Sequence, residues 1–130
     1  MNGRKPFSWR ARARSFVYAF HGMRALFRYE HNAWIHAVAA TLAIILGIIL
    51  RISALEWIVV IILIGAVLAL ESVNSAVEAL ADKISPEFSP LIKKAKDLAA
   101  AAVLFMAIAA LISGIIIFIP KIITALKVLY

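Results

Sequence analysis

A chain of 130 residues suffices for one domain and is too short for two. Its 65% hydrophobic content and mean hydropathy of +0.98 exceed what a globule of this size can bury, so a soluble domain is excluded and the surplus apolar surface requires lipid as its solvent. The net charge of +7 would suit nucleic acid, but the cations flank apolar runs and read as topology signals and anionic-lipid contacts, so no nucleic-acid partner is expected.

Residues 1–6 read as a disordered lead. A surface helix is expected over about residues 8–28, lying in the membrane interface. Trp9, Phe16, Phe20, Met23 and Phe27 share one face, and Arg10, Arg14, His21, Arg24 and Arg28 form a stripe beside it. A third, partly small face of Ala11, Tyr18, Gly22 and Tyr29 is expected to pack on the spanning helices, unless Gly22 only bends the helix. Nothing in this segment resembles a signal peptide.

Spanning helices are expected over about residues 33–51, 55–82 and 91–119, each near the length of about 20 apolar residues that a bilayer requires. The second qualifies only if its polar end is kept from lipid tails. Arg51-Ile52-Ser53 forms a short turn, Glu56-Trp57 opens the second span at the interface, and Ser85-Pro86-Glu87-Phe88-Ser89-Pro90 breaks the chain before the third. A short tail carrying Lys121 and Lys127 follows at the outer surface. Seven of the cations, Arg4 to Arg28, precede the first span, and Lys83, Lys93, Lys94 and Lys96 lie between the second and third. The positive-inside rule then puts the N-terminus and second loop in the cytoplasm, with the first loop and C-terminus outside. The expected fold is an all-α membrane protein: one amphipathic surface helix and three transmembrane helices in a single domain.

Chemistry concentrates in Glu71, Asn74, Glu78 and Asp82, whose spacings of 3, 4 and 4 place them on one helix face. A carboxylate at the middle of a span costs on the order of 2.5–3.5 kcal/mol, so such a stripe needs an interface, a polar interior, bridging cations or a catalytic role. Glu78 and Asp82 could instead be solvated helix-end residues paired with Lys83 or Lys94. Lys96 can reach a phosphate and Asp97 can orient it, or the two form an ordinary interfacial pair. Glu30, before the first span, lies at the same level. Glu30 and Glu78, from different helices, suit Mg²⁺, which takes one or two protein carboxylates plus phosphate oxygens. His36 reads as a satisfied interfacial histidine within reach of a headgroup or a buried carboxylate. The glycines are scattered, and no phosphate-binding loop, His-Glu-x-x-His or Gly-x-Ser-x-Gly motif occurs. The absence of cysteine removes disulfides and thiolate metal sites.

At Glu71-x-x-Asn74-Ser75-Ala76-x-Glu78-x-x-x-Asp82 and Ala95-Lys96-Asp97-x-Ala99-x-Ala101-Ala102-Val103 the sequence resembles the prokaryotic diacylglycerol kinase / undecaprenol kinase family of small membrane enzymes. Gly22-Met23-Arg24, Glu30-x-Asn32-x-x-Ile35-His36 and Glu56-Trp57 support the resemblance, which covers about residues 15–120. It implies a homotrimeric bundle in the bacterial cytoplasmic membrane, with sites between subunits. It implies ATP as phosphoryl donor, Mg²⁺ as cofactor and a lipid alcohol as substrate. Glu71 is then the general base, and Glu30 and Glu78 are the Mg²⁺ ligands. Lys96, Asp97, Tyr18 and Glu87 are nucleotide contacts, with Asn74 and Asp82 in support. The diacylglycerol-specific members carry arginine at Ala11, an acid at His36 and Tyr-His at Phe88-Ser89. The departures point to the undecaprenol kinase subgroup and a polyprenol acceptor, with diacylglycerol as the alternative. A non-catalytic scaffold or channel subunit is the reading outside this class.

Overall fold

The computed structural model describes residues 5–130, so residues 1–4 of the expected lead lie outside the described residues. Four helices follow in chain order: α1 (Trp9–Tyr29), α2 (His31–Ile49), α3 (Ala54–Ile84) and α4 (Pro90–Leu129). The last three are long and apolar enough to cross a membrane. Most of their large apolar side chains, such as Ile45, Ile61, Phe105 and Ile116, are exposed on the protein surface, which is the surface that lipid solvates.

α1 begins at Ser8, whose hydroxyl accepts from the Ala11 amide at 3.4 Å. Trp9, Phe16, Phe20 and Met23 stand out from the protein, as an interfacial face requires. The face turned toward α3 is made by Ala19, Gly22, Leu26 and Tyr29, of which Leu26 is buried. Gly22 and Tyr29 line the cleft on this side but are exposed, as are Ala11 and Tyr18, so of this face only Leu26 packs as a buried residue. Nothing would lie within 4 Å of a Cβ at Gly22, so this glycine leaves room beside α3 rather than allowing close contact.

α1 and α2 are separated by a single residue, Glu30, in extended conformation (φ −108°, ψ 113°). Its amide closes α1 on the Leu26 carbonyl at 3.0 Å, and its carboxylate does not cap α2. The acid is thus fixed by its backbone with its side chain left available. Trp34 locks the corner by donating its indole N–H to the Phe27 carbonyl at 2.6 Å.

The α2–α3 turn is tighter than the sequence suggests. The Ile52 amide bonds to the Gly47 carbonyl at 3.1 Å and the Arg51 amide to that of Ile48 at 3.3 Å, the bonding pattern of a Schellman cap. Arg51 takes the left-handed position at φ 51°, which a glycine usually holds. Ser53 and Glu56 then form a reciprocal capping box for α3. A Cβ on Gly47 would fall 2.8 Å from the Trp57 ring. Gly47→Ala is therefore expected to destabilise the protein by about 1–3 kcal/mol through overpacking. Thermal unfolding in detergent checks it, and an unchanged midpoint would contradict the close approach.

The core lies at this same end. Ile52, Val60, Ile117 and Phe118 are buried together, with Trp57 and Ile122 packed against them. α4 does not stop near residue 119 as the sequence suggests but runs on to Leu129. Pro120 removes only one backbone donor, and the residues beyond it remain helix-compatible. The Thr124 hydroxyl donates to the Pro120 carbonyl at 3.0 Å, and Lys121 pairs with Glu56 at 3.2 Å. The expected tail is thus the end of a helix tied to the first turn of α3.

Candidate active site

The polar residues gather at the opposite end. Glu71 lies seventeen residues after Ala54, about 26 Å along the α3 axis at 1.5 Å per residue, where the hydrocarbon core is about 30 Å thick. α3 remains helical through the whole stripe, so the expected common face exists and exposure grows along it. Glu71 is 1% exposed and Asn74 7%, Glu78 is half-buried and Asp82 exposed. The Asn74 amide donates to Glu78 Oε1 at 3.3 Å.

α2 meets α3 at Glu71. His36 of α2 brings its Nε2 to 3.7 Å from Glu71 Oε2, and Asn32 stands one turn earlier on the same face of α2. The charges of Glu30 and Glu78 also act on Glu71. Ala33, next to Asn32 on α2, is fully buried. The like charge of Glu30 and Glu78 opposes that of buried Glu71, and the arrangement calls for a cation or donors to offset that repulsion.

Among the described residues, the other expected site residues make no hydrogen bond or ion pair with Glu71. Lys96 bonds Asp82 Oδ1 at 2.8 Å, joining α3 to α4, so Asp82 pairs with neither Lys83 nor Lys94. Asp97 pairs with Lys93 one turn away on α4. Tyr18 is exposed on α1. Glu87 is exposed in the α3–α4 loop, where its carbonyl accepts from the Ser85 hydroxyl at 2.9 Å.

Two cavities border the cluster. A cleft of about 550 Å³ runs between α1 and α3, lined by Gly22, Leu26, Glu30, Ser72, Ser75 and Ala79 among others. A groove of about 360 Å³ runs among α2, α3 and α4, and His36 is its single polar lining residue. The acids thus lie where a polar-rimmed cleft and an apolar groove approach each other. Sequence reasoning put His36 within reach of a headgroup or a buried carboxylate but gave it no catalytic role, and it named Asn32 only as part of a motif; their spacing of four on α2 puts both on one face.

Among the described residues, no group of three or more His, Asp or Glu side chains is arranged to hold a metal by itself. The site still fits a hard cation shared with phosphates, which needs fewer protein ligands. Glu30 has no capping bond, and Asn74 Oδ1 is buried without a hydrogen-bond partner. Together with Glu78 these are oxygen donors of the type that Mg²⁺ prefers.

The fold and site define a small helical membrane protein with a buried carboxylate centre at one end. The profile of the family described as prokaryotic diacylglycerol kinase matches residues 17–118. The chain is 41% identical over 108 residues to an undecaprenol kinase of Bacillus subtilis (strain 168), covering 83% of this chain and 88% of the relative. It is 34% identical over 96 residues to a diacylglycerol kinase of Escherichia coli (strain K12), covering 74% and 79%. It is 33% identical over 111 residues to a diacylglycerol kinase of a Synechocystis strain, covering 85% and 63%. The chain belongs to the prokaryotic diacylglycerol kinase family. It is a lipid kinase, and a nucleotide is its phosphoryl donor.

Proposed function

We propose that the protein transfers the γ-phosphate of ATP to the hydroxyl of undecaprenol at the cytoplasmic face of the bacterial inner membrane. The observation that carries the chemistry is Glu71: a carboxylate 1% exposed, facing a histidine and standing beside two further acids. Phosphoryl transfer asks a protein mainly for positioning and charge neutralisation, so a carboxylate base, a lysine and a bridging cation suffice without a glycine-rich loop.

Glu71 takes the proton of the lipid hydroxyl as that oxygen attacks the γ-phosphorus. Glu30 and Glu78, with Asn74 between the acids on α3, would hold Mg²⁺, which would neutralise charge on the phosphates. Lys96 exchanges Asp82 for a phosphate oxygen, and Asp97, Tyr18 and Glu87 complete the nucleotide contacts. Within one protomer none of these last three bonds to the Glu71 cluster, which supports a homotrimer whose sites form between subunits. The cations before α2 and between α3 and α4 support a cytoplasmic N-terminus and an outer C-terminus. The acids cluster at one end instead of spreading through the bilayer depth, which weighs against an ion pathway.

The polyprenol acceptor is supported by the higher identity to the Bacillus undecaprenol kinase, 41% against 34% for the Escherichia coli diacylglycerol kinase. His36 standing where diacylglycerol-specific members carry an acid supports it further. Diacylglycerol is the second reading, favoured by the names of the other relatives. Phosphotransfer from ATP in detergent micelles, with the two lipids side by side, is expected to give at least a tenfold higher kcat/KM for undecaprenol, about 1.4 kcal/mol of preference. Preference for diacylglycerol would reverse the assignment, and turnover of neither with ATP or GTP would overturn it.

A further inference from the structure

Glu71 presents an electrostatic problem that the proposed mechanism leaves open. To act as a base it must be ionised, and a buried ionised carboxylate requires a partner. Lys96 is engaged by Asp82 and Lys93 by Asp97. Among the described residues, the one histidine, lysine or arginine side chain within 4 Å of the Glu71 carboxylate is His36, its Nε2 at 3.7 Å. The His36 side chain is 20% exposed against 2% for that of Glu71. The titratable groups facing this pair are Glu30 and Glu78. From α4 the groove around His36 receives Ala107, Ala110 and Leu111, which offer no side-chain acceptor in competition with Glu71.

We infer that His36 is a positioning residue for the lipid kinase reaction, its Nε2–H directed at Glu71 Oε2 so that the buried carboxylate stays ionised and oriented toward the lipid hydroxyl. The inference rests on the reading of Glu71 as the base. The 3.7 Å separation is longer than a hydrogen bond, and such contacts commonly tighten when substrate binds. In the step itself the hydroxyl proton passes to Glu71. The bond from the lipid oxygen to the γ-phosphorus forms, and the bond from that phosphorus to the bridging oxygen breaks, releasing ADP. His36 gains and loses nothing. It acts through Glu71, as groups behind a reacting residue do in other sites.

The test is steady-state kinetics of His36→Leu, which removes the donor, and His36→Gln, which keeps an N–H donor. Each is measured in the native background and with Glu71→Gln, using whichever of undecaprenol or diacylglycerol the native protein phosphorylates. His36→Leu is expected to lower kcat by about 10–100-fold, the range for losing a group that orients a reacting residue, while both KM values stay within about threefold. His36→Gln should recover at least about tenfold of that loss. In the Glu71→Gln background, His36→Leu should change the residual rate by less than about twofold, because residues that act as a unit are non-additive. Equal losses in the Leu and Gln variants, a loss carried by KM, or the same fold-loss in both backgrounds would each overturn the assignment. Failure of the base reading appears separately, as native turnover by Glu71→Gln alone.

Discussion

Glu71→Gln is expected to lower kcat by about 10²–10⁴-fold, the usual contribution of a positioned general base, while ATP binding and membrane insertion stay as in the native protein. The amide matches the carboxylate in size and hydrogen-bonding reach, so the site keeps its shape. It also lacks the charge that repels Glu30 and Glu78, so the variant should fold at least as well. What it loses is the capacity to take a proton from the lipid alcohol. Initial-rate phosphotransfer together with ATP titration separates these effects. Turnover at the native rate would remove Glu71 from the base role, and a loss confined to KM for ATP would make it a nucleotide contact instead.

Glu78→Gln is expected to act through the metal. Glutamine can still accept the Asn74 amide that Glu78 accepts at 3.3 Å, so the α3 stripe keeps its internal hydrogen bond. The variant loses one of the two carboxylates assigned to Mg²⁺, and with it half the anionic charge that balances the ion. Activity at moderate Mg²⁺ should fall by about 10²-fold, the scale for removing one electrostatic group from a transferring phosphoryl site. Raising Mg²⁺ should restore part of it. A Mg²⁺ titration of rate for native and variant protein reads this directly. An unchanged Mg²⁺ dependence would show that Glu78 does not hold the ion.

Much of this site is written locally in the sequence. The 3, 4, 4 spacing from Glu71 to Asp82 needs only helical geometry to form a stripe, and Pro86 and Pro90 bracket the loop that turns α3 into α4. The gradient from buried Glu71 to exposed Asp82 follows from how far each lies along α3 toward the helix end. Contacts between helices were less legible, because spacing within one helix says nothing of what a neighbour presents. The Lys96–Asp82 pair is of this kind, and for His36 the sequence offered a headgroup or a buried carboxylate without saying that the carboxylate is Glu71. Two local features also escaped. Arg51 occupies a left-handed position that glycine signals and arginine does not. Pro120 reads as a helix end, yet α4 continues because one missing hydrogen bond is tolerated where the surrounding bonds hold.

The polar and apolar ends have separate tasks. The core of Ile52, Val60, Ile117 and Phe118 holds α3 to α4 near the α2–α3 turn, while the other end is less tightly filled and carries the cleft lined by Glu30 and Ser75. Ser75 Oγ and Asn74 Oδ1 are buried there without partners, a cost tolerated in native proteins chiefly at functional sites. Unsatisfied polar atoms thus collect where substrates are expected to bind.

The most direct measurement is an experimental structure of the protein in lipid with Mg²⁺, a non-hydrolysable ATP analogue and a lipid alcohol. The account predicts the alcohol oxygen within about 3 Å of the Glu71 carboxylate, with Glu30 and Glu78 both on the metal that joins the phosphates. A lipid hydroxyl bound away from Glu71, or a metal held by neither Glu30 nor Glu78, would contradict it.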